Sequence, residues 1–510
     1  MKKFIFAMFI INLACGLIVI NGLQPVMAAE KSKYGGILRV NHSKPAGVIG
    51  NPLKIHGWNH EFVDNTLQTL IRPNHTEMGV FEPVLATSWE LAPDKSYYMF
   101  KLRKGVQFHD GTPFNAKAAK WNLDMWVKSN RPRLAKVASV DVIDDYAIRC
   151  NLKAWDAVTL ANFSHDAFMI SPTAWEKNGE EWIDYHPIGT GPFKFTELKR
   201  NVHIKFEKFD KYWIKGQPYL DGIHFFQIPD PMTAIASIKR GEIDAWMGVD
   251  PVSANDLQKS KDIAVIPSPA LHELIQFNST DPKSPWSNRK MREALEYAVD
   301  KGRLAKTVGR GFFKPVYEII HSIPEGAGTL PRKYNPEKAK QLIKEAGHEN
   351  LRVKFYFSVG PNQDAAVAIQ KYLADVGIKV DLAPIQGAAF QQKLFEPAVG
   401  SDLISGNQRG GALDVLGPLD ETLAPGSVFF QGVKKPEGFD DLLNKALQQE
   451  DINKSLKYLF QMEKLAYDDA MFVPLYAIQL IVVQSPKIKD AIWFYAGIPY
   501  PSLERAWMEK

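Results

Sequence analysis

The hydrophobic residues of the chain follow two different periods. Short apolar runs of strand length stand at 37–40, 97–102 and 147–150, with glycine or polar turn residues close by. By contrast, the apolar residues after Asn115 recur at near-helical spacing, so Asn115 is predicted to cap a helix. An alternating run at 202–206 predicts a further strand. The pattern therefore indicates a chain of the α/β class.

The second half of the chain places helices and strands in a regular order. Pro336 stands at a predicted first helical position, and Gly347 is predicted to end that helix. A buried strand is predicted at 353–359, a helix at 365–376 and the next strand at 378–382. Strand, helix and strand at these lengths favour a right-handed parallel crossover within an α/β lobe.

The first thirty residues have the pattern of a secretory signal peptide. Lys2 and Lys3 precede an apolar stretch at 4–20, and the small residues of a cleavage site end at Ala28. Residues 1–28 are therefore predicted to be removed on export, which would place the mature chain in the periplasm.

Two alternatives for this segment are less favoured. A membrane anchor needs about 20 consecutive apolar residues, and Asn12 and Asn21 interrupt the run. Lipidation at Cys15 would need an aliphatic residue where Asn12 stands, and the apolar run continues past the cysteine.

Length, cysteine content and charge narrow the class of protein further. About 480 mature residues exceed the roughly 250 to 300 at which a single core stops growing, so at least two domains are expected. Of the two cysteines, only Cys150 would remain after cleavage, which excludes an internal disulfide. The net charge of +5 includes Lys2 and Lys3, and no dense basic run follows. Nucleic acid is therefore not an expected partner.

No motif of the chain predicts catalysis, a metal site or a cofactor. The glycine turn at 189–192 lacks the G-K-[ST] of a phosphate loop and is interpreted as structural. Neither G-x-S-x-G nor H-E-x-x-H is present. His56 and His60 stand one helical turn apart and would suit a metal on a helix, but Gly57 and Trp58 between them favour a loop. The chain is therefore not expected to be an enzyme or to need a cofactor.

Several segments of the chain resemble a known family. Residues 100–115 read FKLRKGVQFHDGTPFN, which is similar to a signature stretch of the family 5 extracellular solute-binding proteins. These proteins serve ATP-driven importers and include dipeptide, oligopeptide and nickel receptors. Shorter segments that resemble the family follow the same order along nearly the whole mature chain, at 82–90, 187–193, 209–213, 241–245, 292–300 and 334–339.

The resemblance implies the architecture. The expected fold is the α/β, two-lobed periplasmic binding protein fold (cluster C, type II) with an extra subdomain on lobe one. Lobe one is expected to hold residues 29–275 and 483–510, with the extra subdomain at about 61–189. Lobe two is expected to hold residues 276–482.

The resemblance also implies the function. The expected role is the substrate-binding component of an ABC importer, which captures a peptide or peptide-like solute between its lobes and delivers it to the membrane permease. Strand-like segments at 273–278 and 473–483 would form the hinge on which the lobes close. The expected partners are the ligand and the permease subunits of the inner membrane, and a monomer is expected. The alternatives are a non-peptide ligand, such as an oligosaccharide, an opine or a metal chelate, and a periplasmic chaperone or chemosensory receptor.

Site residues follow from the same resemblance. Peptide receptors of this family hold the ligand's ammonium group on an aspartate in a loop after a lobe-two strand, and its carboxylate on an arginine or lysine. On that basis Asp414 is predicted to bind the ammonium group and Arg409 the carboxylate. Asn407 stands about where the family commonly has a tryptophan, which argues against a simple dipeptide ligand. The lobe-one residues predicted to line the pocket are Trp58, Asn59 and His60.

Structural roles are the alternative for these residues. Asp414 would then cap amides of its own loop, and Arg409 would pair with acids at the rim of the cleft. Trp58 would belong to the hydrophobic core.

Overall fold

The computed structural model describes residues 33–55, 59–129, 131–165, 167–321, 330–360, 362–409, 415–494 and 501–510. The predicted signal peptide at 1–28 lies outside the described residues. Within the ranges given, no helix combines the length and the apolar character that crossing a membrane requires.

The described residues form short strands and helices in alternation. The strands are β1 (Ile37–His42), β2 (Ile71–Pro73), β3 (Phe81–Pro83), β4 (Ala86–Leu91), β5 (Tyr97–Leu102), β6 (Val137–Asp144), β7 (Ala147–Leu152), β8 (Phe193–Lys199), β9 (His203–Lys208), β10 (Gly222–Phe226), β11 (Ala245–Met247), β12 (Ala264–Phe277), β13 (Lys314–Pro315), β14 (Arg352–Ser358), β15 (Lys379–Ile385), β16 (Leu403–Arg409), β17 (Val473–Gln484), β18 (Ile488–Lys489) and β19 (Trp507–Met508). The α-helices are α1 (His60–Val63), α2 (Ala116–Lys128), α3 (Val158–Asn162), α4 (Pro172–Asn178), α5 (Glu180–Ile183), α6 (Pro231–Lys239), α7 (Pro251–Leu257), α8 (Arg289–Ala298), α9 (Lys301–Val308), α10 (Pro336–Glu345), α11 (Gln363–Asp375), α12 (Ala388–Leu394), α13 (Leu416–Leu423), α14 (Phe439–Leu447) and α15 (Ile452–Asp468).

One continuous sheet runs through both halves of the molecule. Within the described residues it contains eleven strands. Ten of them lie in the order β15-β14-β16-β12-β17-β11-β1-β10-β9-β8, and the eleventh, β13, pairs with β17. In the first half, β1 lies between β10 and β11 and runs parallel to both. Leu38 and Val40 of β1 are fully buried and share a core with Phe225 on β10 and Val482 on β17. The predicted strand at 37–40 is therefore confirmed, and it lies inside the sheet of this half.

A separate four-stranded antiparallel sheet, in the order β4-β5-β7-β6, has its own core. In β5, Tyr98, Phe100 and Leu102 are buried in that core, as the period-2 alternation of a strand requires. Helix α2 begins where predicted, because the side chain of Asn115 accepts a hydrogen bond from the backbone N–H of Ala118. This sheet lies inside the range proposed for the extra subdomain.

The second half of the large sheet is built on parallel strands. β14 runs parallel to β15 and to β16, and α11 connects β14 to β15 along the chain. Phe355 of β14 and Ile369 of α11 are buried in one core with Ile275 of β12. The predicted parallel crossover is confirmed.

Two long strands join the halves. β12 and β17 pair antiparallel along nearly their whole lengths. Val482 belongs to the core of the first half and Ile275 to that of the second. Between the two cores, at 267–272 and 477–480, most residues are half-buried or exposed, and the pairing shifts register between Pro269 and Leu271. The chain therefore crosses twice between its halves, as predicted. On β12 the crossing residues 267–272 precede the expected segment 273–278, whereas on β17 the residues 477–480 lie within the expected segment 473–483.

The C-terminal segment returns to the first half. After β17, the backbone N–H of Leu503 donates to the side-chain oxygen of Asn65 at 2.7 Å. The carboxylate of Glu504 accepts hydrogen bonds from Arg72 and Tyr212, each at 3.0 Å. The last described residues therefore stabilise lobe one and take no part in the core of lobe two.

Candidate functional site

The candidate site lies where the carboxyl ends of the parallel strands of both halves point towards each other. In open α/β sheets, ligands bind outside the carboxyl ends of the strands, at the point where the strand order reverses. In lobe one this point is β1, because its two parallel neighbours, β10 and β11, lie on opposite sides of it. In lobe two the corresponding edge is formed by the ends of β14, β15 and β16.

Strand pairing fixes the distance between these two edges. Arg409, at the end of β16, pairs with Leu271, which pairs in turn with Ile478 on β17. Met247, at the end of β11, pairs with Val482 on the same strand. The four residue steps from Ile478 to Val482 span about 13 Å in an extended strand. The space between the two carboxyl edges, floored by 267–272 and 477–480, is termed the interlobe cleft, and its length suits a small solute.

The lobe-one wall of the interlobe cleft is held by a buried contact between a histidine and a glutamate. His42 is the last residue of β1, and its Nε2 lies 2.6 Å from the carboxylate of Glu61, with both side chains almost fully buried. The other ring nitrogen, Nδ1, lies 2.9 Å from the backbone oxygen of Lys44. Trp246 on β11 adds a bond from its indole N–H to Ser43, at 3.1 Å. The chain that leaves β1 is therefore fixed at the edge of the cleft.

The three residues predicted to line lobe one have different placements. Trp58 lies outside the described residues. The side-chain oxygen of Asn59 accepts from the backbone N–H of Gly47 at 2.8 Å, which holds the loop after β1. The ring of His60 is buried against Phe168, with its centroid 5.6 Å from that ring. The roles predicted for these residues in ligand binding stay predictions.

Two of the three lobe-two residues predicted from the sequence, Asn407 and Arg409, lie on β16. Asn407 is half-buried and stands opposite Glu273 in the pairing of β16 with β12. The backbone of Arg409 ends β16 at the cleft, and its side chain lies outside the described part of the structure. Asp414 also lies outside it. The structure therefore brings Asn407 and the backbone of Arg409 to the cleft edge, and the predicted ligand contacts stay predictions.

A carboxylate that the sequence interpretation did not include stands at the same edge. One oxygen of Glu273, Oε1, accepts hydrogen bonds from the hydroxyl of Ser405 and, at 3.2 Å, from the amide of Asn362. The side chain is 2% exposed. Burial raises the pKa of Glu273 to about 7, although the bond from Ser405 lowers it. Near neutral pH this carboxyl group can therefore lose or gain a proton when a charged group approaches.

A pair of neutral histidines lies on the opposite face of β12. The rings of His272 and His321 are in contact, with 3.9 Å between their centroids and 45° between their planes, and the backbone N–H of His321 donates to Gln408 at 2.8 Å. Burial lowers the pKa of His321 to about 4 and holds that of His272 well below its usual value. Both rings are therefore uncharged at neutral pH and offer hydrogen bonds without charge.

The sequence interpretation pointed to none of these three groups, and Glu273 was missed because 273–278 was assigned only to the hinge. A signal was present, since Glu273 is the single Asp, Glu, Lys or Arg in the strand-like stretch from Leu271 to Phe277. A lone charge inside a buried strand usually has a partner or a function. His321 gave no comparable signal, because its neighbours become recognisable only in the folded chain.

Other motifs have structural surroundings. A Cβ atom on Gly189 would lie 2.1 Å from the backbone oxygen of Thr66, so the turn at 189–192 is packed too closely to hold a phosphate. Thr190 donates instead to Gln68 at 3.0 Å. Among the described residues, no group of three or more His, Cys, Asp or Glu side chains is placed to hold a metal ion. His56, the partner considered for His60, lies outside those residues.

Comparisons with known proteins agree with the resemblance seen in the sequence. The family model for bacterial extracellular solute-binding proteins, family 5, matches residues 80–414. The glutathione-binding protein GsiB of Pectobacterium atrosepticum is 35% identical over 313 residues, which are 59% of this chain and 60% of that relative's length. GsiB of Shigella flexneri is 31% identical over 423 residues, or 79% of this chain and 82% of the relative.

A solved structure shows the same fold. The periplasmic binding protein DppA of Helicobacter pylori, an ABC transporter-associated protein in complex with the peptide STSA, superposes with a TM-score of 0.80 at 24% identity. The superposition covers 95% of this chain and 100% of that protein. The two-lobed periplasmic binding protein fold is therefore confirmed.

These findings define the class of the protein. The model match covers more than half of the chain, and the relatives are solute-binding proteins rather than enzymes. Substrate binding for an ABC importer is the role that they support. The chain belongs to the bacterial extracellular solute-binding proteins of family 5.

Proposed function

We propose that this protein captures a short peptide or peptide-like solute of the glutathione class in the interlobe cleft and delivers it to a membrane permease. The observation that carries the proposal is the pair of carboxyl edges about 13 Å apart, together with relatives named for binding glutathione. A tripeptide-sized zwitterion fills such a gap and can contact both walls at once.

Closing of the two lobes would supply the affinity. The crossing residues of β12 and β17 are the least buried parts of those strands, and the register shift near Pro269 weakens the ladder there. A paired crossing restricts motion to opening and closing, so contacts from both walls form together only in the closed state. Arg409 and Asp414 would then supply the fixed charges that recognise the carboxylate and the ammonium group.

The finer parts of the assignment belong to the same proposal. Residues 1–28 would direct export and be cleaved, which places the mature protein in the periplasm. The division into lobe one (29–275 and 483–510), its extra subdomain (61–189) and lobe two (276–482) would describe the moving bodies. The mature protein would act as a monomer without a cofactor, and ATP hydrolysis would belong to other subunits of the importer.

The test is thermal-shift screening and calorimetry on the purified mature protein, residues 29–510. The panel contains reduced glutathione, dipeptides, longer peptides, oligosaccharides, an opine and metal chelates. A ligand that binds only the native state stabilises it by about 2.7 kcal/mol at a hundredfold excess over its Kd. We expect glutathione or a short peptide to give this shift. A shift produced by sugars or chelates alone would refute the peptide assignment.

Two charge variants test the predicted anchors. Asp414→Asn and Arg409→Ala should each weaken peptide binding at least about tenfold, since each removes a charge-assisted hydrogen bond. The matched controls are Asp381→Asn and Arg352→Ala. They break an exposed ion pair of lobe two, in which Nε of Arg352 lies 2.6 Å from Oδ2 of Asp381. Unchanged affinity in an anchor variant would remove that residue from the site.

A further inference from the structure

We propose that Glu273 contacts the bound solute directly and selects for one that carries an ammonium group. The inference rests on the proposed function, because it concerns the same cleft and a ligand of the same class. It adds to the predicted Asp414 a second carboxylate, which is distant from it in the sequence and lies on β12.

The position of Glu273 places it at the cleft. It stands two residues after Leu271, whose pairing with Arg409 marks the carboxyl edge of lobe two. Its direct pairing partners are Asn407 on β16 and Tyr476 on β17. Because directly paired residues project from the same face of a sheet, the side chains of Asn407 and Tyr476 lie beside that of Glu273.

The two oxygens of Glu273 have unequal surroundings. Oε1 binds the hydroxyl of Ser405 and the amide of Asn362, and so ties β12 to β16 and to the residue before α11. Oε2 is buried and has no hydrogen-bond partner among the described residues. Oε1 alone accounts for the structural contacts of the side chain, and Oε2 has no structural use in the described chain.

The cost of this arrangement points to a ligand. A buried carboxylate oxygen that lacks a donor loses its hydration without compensation. The side chains packed around it from the neighbouring elements are uncharged: Ser405 and Asn407 from β16, Asn362 before α11 and Tyr476 from β17. No Lys, Arg or His of the described residues forms an ion pair with Glu273. A positively charged N–H donor from the solute would satisfy Oε2 and neutralise the charge.

The ligand chemistry follows from this geometry. The α-ammonium group of a peptide or of a γ-glutamyl group has three N–H donors and one positive charge, whereas an anionic chelate or a neutral sugar has no such charge. Burial also raises the pKa of Glu273 to about 7, so at neutral pH this carboxyl group is protonated in a fraction of the molecules. A cation that binds there should displace the proton.

The experiment compares two ligands on three proteins. Glutathione and its analogue without the α-amino group are titrated calorimetrically into the wild type, Glu273→Gln and Asp414→Asn. The wild type should prefer glutathione about ten- to hundredfold, the range of one charge-assisted hydrogen bond. Glu273→Gln keeps an oxygen for Ser405 and Asn362 and should reduce this preference to about threefold or less. Asp381→Asn, with the same loss of charge on the same lobe, is the matched control.

The outcomes separate the two proposals. If Glu273→Gln keeps the full preference while Asp414→Asn abolishes it, Glu273 is not a ligand contact, although the proposed function stands. If the wild type binds no member of the panel, the proposed function and this inference both fail. If Glu273→Gln does not fold, proton release on binding is an independent measurement. It is obtained by comparing titrations of the wild type at pH 7 in phosphate and in Tris. Glutathione should release protons and the analogue should not, and equal release by both would overturn the inference.

Discussion

Val158 offers a direct test of how the closed state is stabilised. It lies on α3, beside the four-stranded sheet, yet it is 2% exposed and buried among residues of α13, α14 and α15 in lobe two. The backbone N–H of Ala157 donates to the oxygen of Leu447 at 2.7 Å, and Lys95 pairs with Glu450 at 2.7 Å. The subdomain therefore contacts lobe two in this structure, and an opening of the cleft would separate these groups.

The magnitude follows from the buried surface. Val158→Ala removes two methyl-sized groups, which contribute about 0.8 kcal/mol each when buried. About 1.6 kcal/mol of closing energy would be lost, and affinity for the solute would fall by up to about fifteenfold. The exposed pair of Lys95 with Glu450 contributes less, in the range of about 0.2 to 1 kcal/mol.

Calorimetry with the solute identified by the screen measures this loss, and small-angle scattering measures the ligand-free dimensions. Val158→Ala should weaken binding and increase the radius of gyration. The matched control is Val140→Ala, which makes the same deletion in the core of the four-stranded sheet, where Val140 is fully buried. It should lower the melting temperature and leave Kd unchanged. If both variants lower the melting temperature alike and neither changes Kd, the contact does not stabilise the closed state.

Three further predictions concern buried ionisable groups. Glu296→Gln should lower the free energy of unfolding by about 3 to 5 kcal/mol, measured by urea denaturation, because Glu296 is the buried carboxylate that Arg332 contacts at 2.7 Å and Lys301 at 3.5 Å. The pKa of His321 lies near 4, against about 6.5 when the ring is exposed. Between these pH values the ring therefore binds a proton in the unfolded chain but not in the folded chain. This ring should therefore lower the free energy of unfolding by on the order of 3 kcal/mol as pH falls from 6.5 to 4. His321→Gln should make the free energy of unfolding less dependent on pH in this range, and equal slopes in the two proteins would contradict this. Burial raises the pKa of the Cys150 thiol, so a thiol reagent should label the protein only at the rate of unfolding, and fast labelling of the native state would refute its burial.

Local signals in the sequence predicted the fold well. Asn115 and Pro336 mark helix starts through chemistry that acts within a few residues, and both helices begin where these residues indicate. The strand, helix and strand between 352 and 385 have the lengths of a parallel crossover, for which one handedness is strongly preferred. The observed pairing of the two strands is parallel. Such elements are predictable because the residues that determine them are neighbours in the chain.

The candidate site was less predictable, for a physical reason. Glu273 meets Ser405 and Asn362, which lie 132 and 89 residues away in the sequence, only through the register of β12 with β16 and the placement of α11. His321 likewise meets His272 only through contact between distant segments. A single-residue change of register would move Glu273 to the other face of the sheet. No local pattern specifies such contacts, so the resemblance to the family indicated the region and the folded structure identified these side chains.

The position of β17 in the chain affects the order in which the molecule can fold. Its residues 482–484 supply the partner that β11 needs, and the segment after it binds Asn65 near the start of lobe one. A ribosome therefore makes almost the whole polypeptide before the first lobe can complete its sheet. A nascent chain whose first lobe stays incomplete for so long would suit the export that residues 1–28 are predicted to direct.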